Sequence, residues 1–175
     1  AEFDGYAAFD WSPDGQNLAY ISGITARPFG ILGSLGIIDM SDPTNPDLSD
    51  PGISGVMAFY WSPNGEKIAY FEPKFDNNDI SQSPELFLQL SVLDVTSGNV
   101  AMLGAFQSPD VILTQMFPHF DQYQRSSTIW SPDGNYLVIN ALTEDEEPGI
   151  FVVNADGNFA PRLITQGLMP FWSRN

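Results

Sequence analysis

The ten residues "WSPDGQNLAY" at 11–20 return as "WSPNGEKIAY" at 61–70 and as "WSPDGNYLVI" at 130–139, and a fourth copy breaks off as "FWSRN" at the end of the chain. A unit that recurs at this scale restricts the fold, because one copy alone cannot bury its apolar face and must stack on another. The repeat tryptophans, Trp11, Trp61, Trp130 and Trp172, are 50, 69 and 42 residues apart. Each motif residue has a turn-building role. Pro13, Pro63 and Pro132 preset φ at the first central position of a β-turn. Asp14, Asn64 and Asp133 follow and tolerate bridge or left-handed geometry, and Gly15, Gly65 and Gly134 can take positive φ. Ser12, Ser62 and Ser131 can bond a nearby backbone N–H.

The strand after each turn is apolar on both faces. Leu18 and Tyr20 oppose Ala19 and Ile21, Ile68 and Tyr70 oppose Ala69 and Phe71, and Leu137 and Ile139 oppose Val138. Such a strand belongs in a sheet packed between two others. Together with the spacing, this predicts an all-β chain of four-stranded antiparallel propeller blades. Repeats cover residues 7–55, 56–124 and 125–167, and a terminal strand at 168–173 opens a fourth. The first repeat shows strands at 7–12, 17–22 and 31–39. Its fourth is not legible, because "SDPTNPDLSDPG" at 41–52 is rich in breakers. The second shows 56–62, 67–72, 86–94 and 99–106, and the third shows 126–131, 136–142, 149–154 and 158–165. Residues 107–124 form a long aromatic insertion, read as partly helical.

These motifs resemble the TolB-like β-propeller repeat, a relative of the WD-repeat propellers. The family pattern continues into a strand ending D-x-x-x-G, present here as "LSVLDVTSG" and, with Asn and one residue fewer, as "IFVVNADG" followed by "PRLITQG". The resemblance implies a propeller module outside the cytoplasm, in the periplasm, at the cell surface or secreted. Propellers close with 4–8 blades, so three blades and one strand imply that something else completes the ring. That is expected to be N-terminal blades of a longer chain or a protein partner. A head-to-tail dimer ranks lower, since it leaves each terminal strand redundant.

Charge narrows the partners. Twenty-two acidic residues against six basic ones give a net charge of −16, which repels nucleic acid and disfavours anionic membrane surfaces. No apolar run is long enough to insert in a membrane. Cysteine is absent, so disulfides and thiolate metal sites are excluded.

Little in the chain points to catalysis. "GILGSLG" at 30–36 fails the G-x-S-x-G pattern around Ser34, and its glycines fit a bulged or flexible strand. His119, the one histidine, has Asp121 nearby but no marked serine partner. Asp39, Asp94, Glu72 and the run 144–147 are scattered carboxylates, and none is set apart as a glycosidase pair. Calcium is the one cofactor kept open, with Asp76, Asp79, Glu144 and Asp145 as weak ligands. Asn64 replaces the motif aspartate in the second copy, which favours a structural role for Asp14 and Asp133. The expected function is a non-catalytic protein-binding or scaffold module. The alternatives are the propeller domain of a larger peptidase-type hydrolase and a subunit of a surface assembly. Phe117, His119, Phe120 and Tyr123 of the insertion are read either as a partner-contact surface or as a clasp over a blade edge.

Overall fold

The structure, a computed structural model, describes residues 6–25, 30–76, 85–123, 128–158 and 160–173, the side chains of Tyr6, Asp76 and Tyr123 excepted. Three antiparallel sheets follow one another along the chain, as the repeat requires. Blade 1 contains β1 (Tyr6–Trp11), β2 (Asn17–Thr25), β3 (Ile31–Asp39) and β4 (Asp47–Ser49), paired in that order. Blade 2 contains β5 (Ala58–Trp61), β6 (Lys67–Asp76), β7 (Glu85–Asp94) and β8 (Val100–Phe106). Blade 3 contains β9 (Tyr136–Leu142), β10 (Pro148–Asn154) and β11 (Arg162–Gln166).

Four differences from the sequence reading have local causes. Blade 1 has its fourth strand after all: Asp47, Leu48 and Ser49 pair with Asp39, Ile38 and Ile37. An outer strand pairs on one side only, so three residues between Pro46 and Pro51 suffice. In blade 3 the innermost strand, expected at 126–131, is reduced among the described residues to the bridge between Trp130 and Leu137. Ile129 O also accepts Val138 N–H at 2.8 Å. Residues 168–173 join no ladder, because Met169 turns to φ 57° and Pro170 has no N–H to donate. The long β6 carries Pro73 beyond its last pair with β5, where one edge of the strand is open.

Packing follows the two-sided apolar pattern, but not equally in each blade. In blade 2, Phe59, Ile68, Ala69, Tyr70 and Phe71 are all buried, with blades on both sides. In blade 1, Ala19 and Ile21 are fully buried while Leu18 and Tyr20 on the other face are half-exposed. The glycines of "GILGSLG" serve close approach. A Cβ on Gly33 would sit 2.2 Å from Ser22 O, and one on Gly36 would enter the Tyr20 ring. Gly33 also exchanges both backbone hydrogen bonds with Val56, at 3.1 and 2.8 Å, which ties blade 1 to the start of blade 2.

The insertion is helical. A wide turn over Ile112–Met116 leads to a 3₁₀ turn at Phe117–His119 and a short helix, α1 (Phe120–Tyr123). Phe120 meets Phe59 edge-on at 5.3 Å, and Phe117 lies 4.9 Å from Phe71. The segment is therefore part of the core.

Candidate functional site

Each repeat turn is built by the same five hydrogen bonds. Ser12 N–H donates to Asn17 O at 2.8 Å and Gly15 N–H to Ser12 O at 2.9 Å, closing the hairpin. The Ser12 hydroxyl donates to Asp14 Oδ1 at 2.6 Å and accepts Asn17 N–H at 2.9 Å. Asp14 Oδ1 also accepts Gln16 N–H at 3.0 Å. Ser62 with Asn64 and Ser131 with Asp133 repeat the arrangement bond for bond. Gly15, Gly65 and Gly134 have φ of 73°, 73° and 71°, the left-handed conformation that lets the turn close without a Cβ clash.

The turn carboxylates are occupied by this work. The Ser12 hydroxyl, then Gln16 N–H, hold the Asp14 pKa below its ordinary value; Ser131 and Asn135 N–H do the same for Asp133. In blade 2 an amide oxygen fills the same place, and Asn64 Nδ2 donates onward to Glu66 at 2.6 Å. The geometry needs an acceptor, not a charge. Asp39 and Asp94 are turn acceptors as well, for Ser41 N–H and for the Ser97 N–H and hydroxyl.

The motif tryptophans join one blade to the next. Trp61 Nε1–H donates to Asp10 O at 3.2 Å, and Trp130 Nε1–H donates to Tyr60 O at 2.9 Å. In each case the acceptor is the residue just before the previous blade's tryptophan. The turns also stack: the Cβ position of Gly65 is 3.5 Å from Pro13 Cδ. Trp172 departs from the rule. Its backbone N–H reaches Thr128 O at 3.2 Å, but its buried indole nitrogen has no acceptor among the described residues.

This stacking brings the four motif copies around one cavity of about 780 Å³, lined by Trp11, Asp14, Trp61, Pro63, Trp130 and Trp172, among others. Its walls mix carboxylate, hydroxyl, proline and indole. A second cavity, of about 100 Å³, lies between blades 2 and 3. It is apolar, with Phe71, Phe106, Phe117, Ile139 and Phe171 in its wall, and it holds the buried hydroxyl of Ser108, which has no partner among the described residues. It is smaller than the engineered cavity of about 150 Å³ that admits benzene. Tyr60 lines both cavities, and burial pushes its phenol pKa upward, so it stays protonated.

The insertion residues separate into two kinds. Phe117 and Phe120 are buried against blade 2, as a clasp requires. His119 is exposed, and so is Asp121; the side chain of Tyr123 lies outside the described residues. Glu144 and Asp145 are exposed in the β9–β10 turn, where Glu146 N–H donates to Thr143 O at 3.0 Å. The Asp76 side chain and all of Asp79 lie outside the described residues. Among those described, no three His, Asp or Glu gather closely enough to hold a metal ion, and no helix is long and apolar enough to cross a membrane.

Asn140 was missed by the sequence reading. It is buried on β9; its amide donates to Gly149 O at 3.1 Å and Gly167 O at 2.9 Å, and its oxygen accepts Met169 N–H at 2.8 Å. A lone polar residue in "YLVINAL" was the available signal.

Three stacked antiparallel blades with their repeat turns around one cavity define a partial β-propeller fold. Solved structures share this fold. The β-propeller domain of the trilobed protease from Pyrococcus furiosus aligns with 93% of this chain and 42% of its own, at 13% identity and a TM-score of 0.54. TolB from Acinetobacter baumannii aligns over 90% of this chain and 32% of its own, at 15% identity and 0.51. The acylaminoacyl peptidase of Pyrococcus horikoshii aligns over 90% and 24%, at 13% identity and 0.56. The chain thus spans less than half the length of each. No known family profile and no curated protein sequence matches it.

Proposed function

We propose that this chain is a non-catalytic propeller module that binds a protein or acts as a scaffold, and that further blades or a partner complete its ring. The observation that carries this reading is the use of the motif carboxylates. Asp14 and Asp133 are bound by their own serines and backbone N–H groups, and Asn64 does the same work without a charge. The turn-lined cavity supplies a surface for contact. An extracytoplasmic location belongs to the same proposal; it rests on the TolB-like resemblance, with which the acidity is consistent.

A second reading is the propeller domain of a larger peptidase, favoured by the likeness to propellers of the trilobed protease and the acylaminoacyl peptidase. One experiment separates the two. The intact natural protein is assayed against peptide, ester and glycoside substrates, with and without His119→Ala. Absence of turnover supports the module. Turnover that survives the substitution supports the second reading. Turnover abolished by it, in a protein that still folds, overturns both.

A further inference from the structure

Residues 108–111, "SPDV", have the letters of a helix start, where a serine hydroxyl caps the first free N–H groups. Ser108 does not serve that way. The first N–H groups of the wide turn, those of Ile112 and Leu113, go to Pro109 O at 2.9 and 3.4 Å. The Ser108 hydroxyl is buried instead in the wall of the cavity between blades 2 and 3, and has no partner among the described residues. The amide in the same wall, Asn140, is already bonded through both its nitrogen and its oxygen. A hydroxyl buried without a partner destabilises a fold unless something else satisfies it.

The chain after β11 forms one side of this cavity. Gly167 N–H donates to Pro148 O at 2.9 Å, and Met169, at φ 57°, turns the chain out of the ladder. Beyond that point Asn140 Oδ1 accepts Met169 N–H at 2.8 Å, and Thr128 O accepts Trp172 N–H at 3.2 Å. Met169 is 51% exposed and Phe171 61%, whereas Ser108 and Phe117 in the same wall are buried. The cavity therefore runs from the core to the surface and is apolar along its length. Met116 and Met169 are unbranched and can adapt to a guest. No Asp, Glu, Lys, Arg or His stands in the wall, and burial keeps the Tyr60 phenol protonated. An ion of either sign would lose its water and gain no partner. The volume of about 100 Å³ equals roughly three times a water's share of about 30 Å³, enough for the head of a chain and too little for a ring.

We infer that this cavity binds the end of an uncharged alkyl chain bearing a hydroxyl or carbonyl oxygen, with that oxygen on Ser108 Oγ and the chain leaving past Met169 and Phe171. The serine hydroxyl donates to a carbonyl or accepts from an alcohol, so either head satisfies it. The inference rests on this cavity alone. It depends on neither functional reading, and a positive hydrolase assay leaves it standing.

The test is a titration of 1-hexanol into the natural protein carrying carbon-13 methionine methyl groups, read by NMR. The Met116 and Met169 methyls are expected to shift saturably with a Kd of about 1 mM or tighter, within what seven heavy atoms can supply. Buried Met57 and exposed Met102, neither of which lines the cavity, should stay unmoved. Hexanoate and hexylammonium should bind at least about tenfold more weakly. Ser108→Ala is expected to weaken 1-hexanol about fivefold without lowering the melting temperature. Phe171→Ala, on the exposed rim, should weaken it about threefold. Absence of a saturable shift at Met116 and Met169, equal shifts at all four methyls, or charged probes that bind as tightly as the alcohol each overturn the inference. Affinity unchanged by Ser108→Ala reduces the site to an apolar void and overturns it too. Where Ser108→Ala does not fold, Phe171→Ala decides, and unchanged affinity there is the refuting result.

Discussion

Trp11 and Trp130 occupy the same motif position, so replacing each by Phe measures what tertiary context adds. Trp130 is fully buried and donates to Tyr60 O at 2.9 Å. Loss of that hydrogen bond costs about 1 kcal/mol. The indole part that Phe does not replace leaves a void of about 40 Å³, worth about 1 kcal/mol, and removes about 1 kcal/mol of transfer free energy. Trp130→Phe should therefore destabilise the chain by about 3 kcal/mol, a large part of the 5–15 kcal/mol typical of a domain. Trp11→Phe in the isolated chain should cost about 0.5 kcal/mol or less, since the ring is partly solvated and has no acceptor to lose among the described residues. Urea unfolding followed by far-ultraviolet circular dichroism reads both, free of the tryptophan signal that the substitution alters. The midpoints should separate while the slopes remain equal. The reasoning fails if the two substitutions cost the same, or if Trp130→Phe costs under about 1 kcal/mol.

Three further outcomes are expected. Phe117→Ala and Phe120→Ala should each destabilise by about 3–5 kcal/mol, because both rings are buried against blade 2; a change below about 1 kcal/mol by urea denaturation would leave the insertion free to be a contact surface. Asn140→Ala strands Gly149 O, Gly167 O and Met169 N–H. It should cost about 2–4 kcal/mol and speed amide exchange at residues 167–169; unchanged exchange contradicts this. Asp14, Asp39, Asp42, Asp94 and Asp133 all have folded pKa values lowered from 3.8. Their contribution is present above 3.8 and is lost as pH falls through the lower folded values, where the unfolded chain binds more protons. Asp14→Asn with Asp133→Asn should keep the melting temperature at pH 7 and reduce its fall at acid pH, since Asn64 shows that an amide fits; an identical fall argues against the linkage.

Local chemistry was legible because it is short-ranged. Proline φ, glycine at positive φ and a serine five residues from its N–H partner are all set within one turn, so the three turns could be read from their letters. Blade number and order followed from repeat spacing for the same reason. The fourth strand of blade 1 was hidden, because proline and aspartate dominate 41–52 and three edge residues leave little pattern. The insertion showed its aromatics but not their direction, which depends on Phe59 and Phe71 far away in sequence.

The sequence by itself determined a β-propeller repeat, since the motif specifies its own hairpin and a strand apolar on both faces demands neighbours. Only the tertiary structure decided what each copy's identical residues do. Trp61 and Trp130 clamp blades together, the buried indole nitrogen of Trp172 has no acceptor among the described residues, and Trp11 faces outward. Burial and hydrogen-bond acceptors come from the adjacent blade, and identical letters receive different surroundings according to their place in the stack.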